Sequence, residues 1–316
     1  MPSPRSPRSD PRRTRIRQSA EALFGHRVTE ISAPGGSRRS SLRFHFGDQT
    51  VIGTLRPNFR RTHLEAFVLR RLEPYCDDIP RVLGVDGEVM FQSDVGARRL
   101  NKELQAADPE RRLALVAEAV AAIYRIQLAA RKTDLIAKLP HMGNNEAWLE
   151  NLVDGVQVLA PFVETLPEGF DKQAALTRLR HPGTEFVKWD CRTGNAAIGA
   201  DNRLRWFDFE YCGLRHGAED LAWLIGDETL PVDPAVLSEL IADALPAEVP
   251  GGREGYLDYL AIYATVHVLQ RLKLIMSEAR SRGWLRIERV IERDDVGVHP
   301  DLARNLCAMG AHFAER

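Results

Sequence analysis

Residues 184–224 read TEFVKWDCRTGNAAIGADNRLRWFDFEYCGLRHGAEDLAWL. An apolar pair, Phe186 and Val187, leads into Asp190, and Asn195 follows five residues later. Gly199–Asn202 is rich in turn formers, and Leu204-Arg205-Trp206-Phe207 then reads as a strand that ends in Asp208-Phe209-Glu210. A hairpin of this kind brings Asp190, Asn195 and Asp208 to one end. One carboxylate can accept a proton from an attacking hydroxyl. The amide carbonyl and the other carboxylate are hard oxygen ligands of the kind Mg²⁺ takes. Phosphoryl transfer asks mainly for positioning and charge neutralisation, which such a trio can supply.

The stretch K-W-D-C-R-T-G-N followed by F-D-F-E-Y-C-G and E-D-L-A-W-L resembles the aminoglycoside phosphotransferase and choline/ethanolamine kinase superfamily. That superfamily is a branch of the protein-kinase-like fold, with the pattern H-x-D-x-x-x-x-N, a strand, and then (I/F)-D-(F/W)-E. The combined spacing is specific, whereas D-x-x-x-x-N alone is not. The resemblance covers about residues 20–280. It implies a two-lobed α+β fold with a small antiparallel β-rich N-lobe and a larger helical C-lobe. It further implies a phosphotransferase that moves the γ-phosphoryl group of ATP or GTP, with Mg²⁺, to a hydroxyl of a small-molecule acceptor.

Roles follow from the same resemblance. Asp190 is implied as the catalytic base and Arg192 as a cation that stabilises transition-state charge. Asn195 and Asp208 are implied as Mg²⁺ ligands, with Glu210 as a second acid at the metal. Asp220 is expected to cap a helix or brace the loop. In the N-lobe, Gly35, Gly36 and Ser37 are expected in a loop over the phosphates, where backbone N–H groups approach an anion. Glu65 matches the helix Glu that pairs with a strand cation, and Asp94 and Val95 fall where adenine meets the inter-lobe hinge.

Two positions depart from the pattern. No Lys stands in Gln49–Pro57, so Arg56 is the only cation available to hold phosphate and Glu65 together. Lys188-Trp189 replaces the usual His-Gly or His-Asn before the catalytic Asp. A lysine is not an imidazole, and Trp189 is expected to pack where the His would brace the loop. Either departure keeps open the alternative of a catalytically impaired nucleotide-binding pseudokinase.

Outward from this stretch, the N-terminal side alternates. Arg27–Ser32, Leu42–Phe46 and Gln49–Arg56 read as strands, with a turn at Gly47-Asp48. Thr62–Glu73 has helical spacing, and Pro80–Leu83 and Glu88–Gln92 read as two short strands about Asp86-Gly87. Beyond residue 98 helices dominate: Pro109–Lys132, Asn145–Leu159, Lys172–Arg180 and Gly255–Arg280. Strands before helices argue α+β. The boundaries predicted are a disordered basic arm over 1–17, a nucleotide-binding lobe over 18–97 and a catalytic and acceptor-binding lobe over 98–316.

The acceptor is expected in the helical lobe. Trp148, Trp223, Tyr256, Tyr259 and Tyr263 are aromatic candidates there, and Asp227 and Glu228 are acidic ones.

The 316 residues are enough for two lobes and a full core. The net charge of −1 argues against a general polyanion binder. Six arginines before residue 18 give the arm its charge, but it lacks an aromatic for base stacking, so a nucleic-acid partner is not expected. The four cysteines are far apart with no zinc spacing, which fits a reducing cytoplasm. No uninterrupted apolar run approaches the ~20 residues that cross a bilayer, and no membrane association is expected.

Overall fold

The computed structural model describes residues 11–34, 41–56, 58–143, 145–163, 170–180 and 183–316. Helix α1 (Pro11–Phe24) leads into strands β1 (Glu30–Ser32), β2 (Ser41–Phe46) and β3 (Gln49–Leu55). Helix α2 (Phe59–Leu72), β4 (Val82–Asp86) and β5 (Val89–Ser93) complete the N-lobe. The strands form one antiparallel sheet in the order β1-β2-β3-β5-β4. Alternation along β2 and β5 sends Leu42, Phe44, Val89 and Phe91 to the face that packs on α1. The opposite face, with Ile52 and Gln92, looks into the cleft between the lobes.

Residues 11–17 correct the expected disordered arm, for they form the first half of α1. The arginine-rich composition masks a four-residue period: Ile16 and Ala20 are fully buried against the sheet. Gly53 makes room for this contact, since a Cβ there would collide with the rings of Phe44 and Phe91 and crowd Ile16. Arg15 pairs with Glu88 at 3.0 Å and Arg17 with Glu21 at 3.1 Å. Residues 1–10 of the arm lie outside the described residues.

A short connector after β5 leads to β6 (Arg98–Arg99), α3 (Leu100–Ala106) and α4 (Pro109–Ala130). Helix α4 starts at an Asp108 cap with Pro109 in its first turn. It is long and apolar enough to cross a membrane, a property its interspersed charged residues hide in the sequence. Most of its apolar stretch is nevertheless buried, with Val116, Val120, Ile123 and Ile126 in the C-lobe core.

There follow α5 (Leu135–Lys138), α6 (Glu146–Val153), a 3₁₀ segment (Asp154–Phe162) and α7 (Lys172–Leu179). The helix expected over Asn145–Leu159 thus tightens to 3₁₀ from Asp154. Strands β7 (Glu185–Val187), β8 (Ala196–Ile198), β9 (Leu204–Trp206) and β10 (Gly213–Arg215) carry the quoted stretch. Strand β8 pairs with β6 and β9, and β7 with β10. Helices α8 (Ala218–Ile225), α9 (Pro234–Ala244), α10 (Gly252–Arg282), α11 (Ile287–Arg293) and α12 (Pro300–Ala314) finish the chain. The core runs along α10, which buries Tyr256, Leu260, Tyr263 and Ala264.

Candidate active site

Strand β7 ends at Val187 and delivers residues 188–195 as a loop, closed by a 3₁₀ turn over Thr193–Asn195. The β8–β9 hairpin then returns the chain, and the Phe207 N–H donates to the Asn195 carbonyl at 2.9 Å. That bond ties the two ends of the hairpin together, so Asn195 and Asp208 share one wall of the cleft. Asn195 Nδ2 donates to the Asp190 carboxylate at 2.9 Å and to its carbonyl at 3.0 Å. Trp189, Asp190 and Asp208 have φ of 62°, 49° and 66°. Three left-handed non-glycine residues within one site hold backbone strain that the surrounding contacts must outweigh.

Those contacts are specific. Asp220, fully buried on α8, accepts the Lys188 and Trp189 N–H groups at 3.0 and 2.7 Å. Asp227 accepts the Thr193 N–H at 2.7 Å and its hydroxyl at 2.6 Å. Arg99 Nη1 donates to the Gly194 carbonyl at 2.8 Å. Lys188 overturns the expectation that a lysine leaves the loop unbraced. Its side chain is 1% exposed, and Nζ donates at 3.3 Å to the carbonyls of both Trp189 and Asp190. The faces of Trp206 and Phe209, 5.8 and 5.4 Å away, flank the ammonium. Trp189 does not pack behind the loop as expected. It points the other way, between Trp148 and Trp223 with ring centroids 6.1 and 6.2 Å away.

Burial alone would raise the Asp190 carboxyl. The charge and hydrogen bond of Arg192, with help from Lys188 and Asn195, overcome this and hold it below the usual carboxylate range. Arg192 lies on Asp190 itself, Nε to Oδ1 at 2.7 Å, and 3.8 Å from Asp294.

In the N-lobe, Arg56 reaches Glu65 at 2.8 Å, Asp208 at 2.6 Å and Glu210 at 3.1 Å, and so crosses the cleft. Glu210 also meets Arg61 at 3.4 Å, and burial raises its pKa in spite of both cations. A cavity of about 160 Å³ lies between the lobes. Ile52 lines it above, Ala197 and Phe207 below, and Asp94 and Val95 at the connector. The Asp94 carboxylate is held by Arg43 through a two-pronged pair at 2.5 and 2.9 Å. Gly35, Gly36 and Ser37 lie outside the described residues.

The structure therefore brings Asp190, Arg192, Asn195, Asp208, Glu210, Arg56 and Glu65 together and places Asp94 and Val95 on the same cavity. Asp227 and Glu228, expected as acceptor-facing acids, are instead buried: Asp227 holds the loop, and Glu228 pairs with Arg271 at 2.8 Å and accepts the Gly297 N–H at 2.7 Å. Sequence reading missed Arg43, Arg99 and Asp294. Asp294, in left-handed conformation after α11, lines the cavity and sits against Gly194. Only the glycine at 194 could have hinted at so close an approach.

Among the described residues, no group of three or more His, Cys, Asp or Glu side chains has metal-binding geometry. The donors nevertheless fit a magnesium ion that shares its shell with phosphate and water. Asn195 turns its amide nitrogen to Asp190, which leaves its oxygen, and Asp208 uses one carboxylate oxygen on Arg56, which leaves the other.

No family profile and no curated protein matches the sequence. Solved structures do match over nearly the whole chain. A choline/ethanolamine kinase family protein from Mesorhizobium loti aligns with a TM-score of 0.58 at 19% identity, covering 95% of this chain and 99% of that one. A spectinomycin phosphotransferase, solved with ADP and spectinomycin, aligns with a TM-score of 0.58 at 12% identity, covering 94% and 98%. A choline kinase from Streptococcus pneumoniae aligns with a TM-score of 0.52 at 10% identity, covering 96% and 100%. The chain has the protein-kinase-like fold of the aminoglycoside phosphotransferases and choline kinases. Its structural neighbours are kinases of small molecules.

Proposed function

We propose that this protein is a phosphotransferase that moves the γ-phosphoryl group of ATP or GTP to a hydroxyl of a small molecule. The observation that carries the reading is Asp190. Its carboxylate is kept ionised by Arg192 and Lys188 and is fixed, on a strained loop, by Asn195, which itself lines the inter-lobe cavity. Asp190 accepts the acceptor's hydroxyl hydrogen. As the new O–P bond forms and the bond to the β-phosphate breaks, the proton passes to Asp190 and the nucleoside diphosphate leaves. Asn195 and Asp208 would hold Mg²⁺, which neutralises charge on the transferring group when bound. Arg56 orients Glu65 and the Asp208 strand end. The base lies between Ile52 and Phe207, against Asp94 and Val95.

The two departures that favoured a pseudokinase both carry a working substitute. Arg56 engages Glu65, and Lys188 braces the loop. For the acceptor, the acids that would suit a polycationic aminoglycoside are consumed in internal pairs. Trp148 and Trp223 flank Trp189, the residue before Asp190 in the chain. This favours an amino alcohol or a similarly small, sparsely charged alcohol.

A coupled assay of nucleoside diphosphate release over amino alcohols, aminoglycosides, thiamine-like compounds and sugars tests the reading. One class should turn over, and Asp190→Ala should lower its kcat by about 10²–10⁴-fold while nucleotide still binds. Undiminished turnover in that variant would remove Asp190 from the chemistry. Silence across the panel with nucleotide bound would favour the pseudokinase.

A further inference from the structure

We infer that the site takes one divalent cation with its nucleotide rather than two, because Arg56 is a built-in counter-ion among the carboxylates a second ion would need. The inference rests on the phosphotransferase reading.

Three acids converge on this guanidinium: Glu65, Asp208 and Glu210. Among the described residues, five of their six carboxylate oxygens have partners. Glu65 gives one oxygen to Arg56 and the other to the Phe209 N–H at 2.9 Å. Glu210 gives one to Arg56 and the other to Arg61. Asp208 gives one to Arg56. The remaining Asp208 oxygen and the Asn195 amide oxygen would serve one Mg²⁺ together with phosphate and water, and none of these three acids keeps a further oxygen for a second.

The chemistry of arginine makes this arrangement durable. A lysine at this position would present a single point charge, whereas the planar fork of Arg56, just past β3, meets three acids at once. Arg56 is 6% exposed, and a guanidinium is not deprotonated in proteins. It therefore stays positive at any working pH and repels a second dication. Glu210, implied as a metal ligand by the resemblance, is assigned instead to holding Arg56 and Arg61.

The test counts ions and does not depend on turnover. The full chain is saturated with a non-hydrolysable ATP analogue and titrated with Mn²⁺, free ion being read from its electron paramagnetic resonance signal. Wild type should plateau at one Mn²⁺ per complex; a plateau at two overturns the inference. Arg56→Gln, with the analogue still bound, should admit a second ion, and a plateau that stays at one would also overturn it. Glu210→Gln is the safer variant for folding and should keep the wild-type plateau and an Mn²⁺ affinity within about twofold. A loss of about tenfold or more would make Glu210 a ligand and end the case. If the analogue does not bind wild type at all, the phosphotransferase reading itself fails, an outcome distinct from a plateau at two.

Discussion

Lys188 and Arg192 act on different atoms of Asp190, the main-chain carbonyl and the carboxylate. Lys188 is a buried cation that satisfies two carbonyls turned inward by left-handed backbone, and Arg192 grips the carboxylate. Lys188→Met should take the ammonium from both carbonyls, leaving the Asp190 carbonyl with Asn195 Nδ2 alone and the Trp189 carbonyl without its lysine donor. That costs about 1–3 kcal/mol, and misplacing Asp190 by that amount corresponds to about a 5–150-fold lower kcat. The KM for nucleotide should be nearly unchanged, and Lys188→His should recover part of the loss by restoring a donor. Equal losses in both variants would reduce Lys188 to a packing residue. Arg192 has a different signature. Because it lowers the pKa of Asp190, the acid limb of kcat/KM against pH should lie below the ordinary carboxylate value near 4. Arg192→Gln removes that field, so the limb should move to higher pH. An unmoved limb would mean that Asp190 does not govern it.

At the scale of elements, α1 shows how composition can mislead. Arg17 pairs with Glu21 on the same helix and Arg15 with Glu88 between β4 and β5, while Ile16 and Ala20 seal the sheet. Ile16→Ala should cost about 2–5 kcal/mol and lower the hydrogen-exchange protection of β3 and β5 amides. Arg13→Gln on the exposed face should change protection by under about 0.5 kcal/mol. Unaltered protection in Ile16→Ala would detach α1 from the lobe. The hairpin β8–β9 was readable for the opposite reason. Its residues are close in sequence, so spacing alone places Asn195 against Asp190 and beside Asp208. Asp294 comes about a hundred residues later and meets the site only because α11 ends over Gly194. No local pattern records such a contact. The same holds for Arg43, whose partner Asp94 is on the connector. Lys188 was misjudged because its chemistry was weighed as a side-chain type, whereas its position beneath two inverted carbonyls decides its role.

Across the whole molecule, the lobes meet through charge. Arg56 and Arg61 of the N-lobe reach Asp208, Glu210 and Tyr211 of the C-lobe. The cavity these contacts border is small, about 160 Å³, and has lining residues from both lobes, so a nucleotide bound in it would touch both. A ligand that touches both lobes stabilises both against unfolding. At a free concentration of about one hundred times Kd it adds about 2.7 kcal/mol. For a chain of this size that raises Tm by a few degrees, roughly 2–4 °C per kcal/mol at most. The increment should have two parts, one from nucleotide alone and one added by Mg²⁺ through Asn195 and Asp208. Asp208→Asn should keep the first part and lose the second, because the amide cannot supply the anionic oxygen. Thermal scans of wild type and variant with nucleotide, with and without Mg²⁺, separate them. A magnesium increment that survives Asp208→Asn would place the ion elsewhere in the cleft.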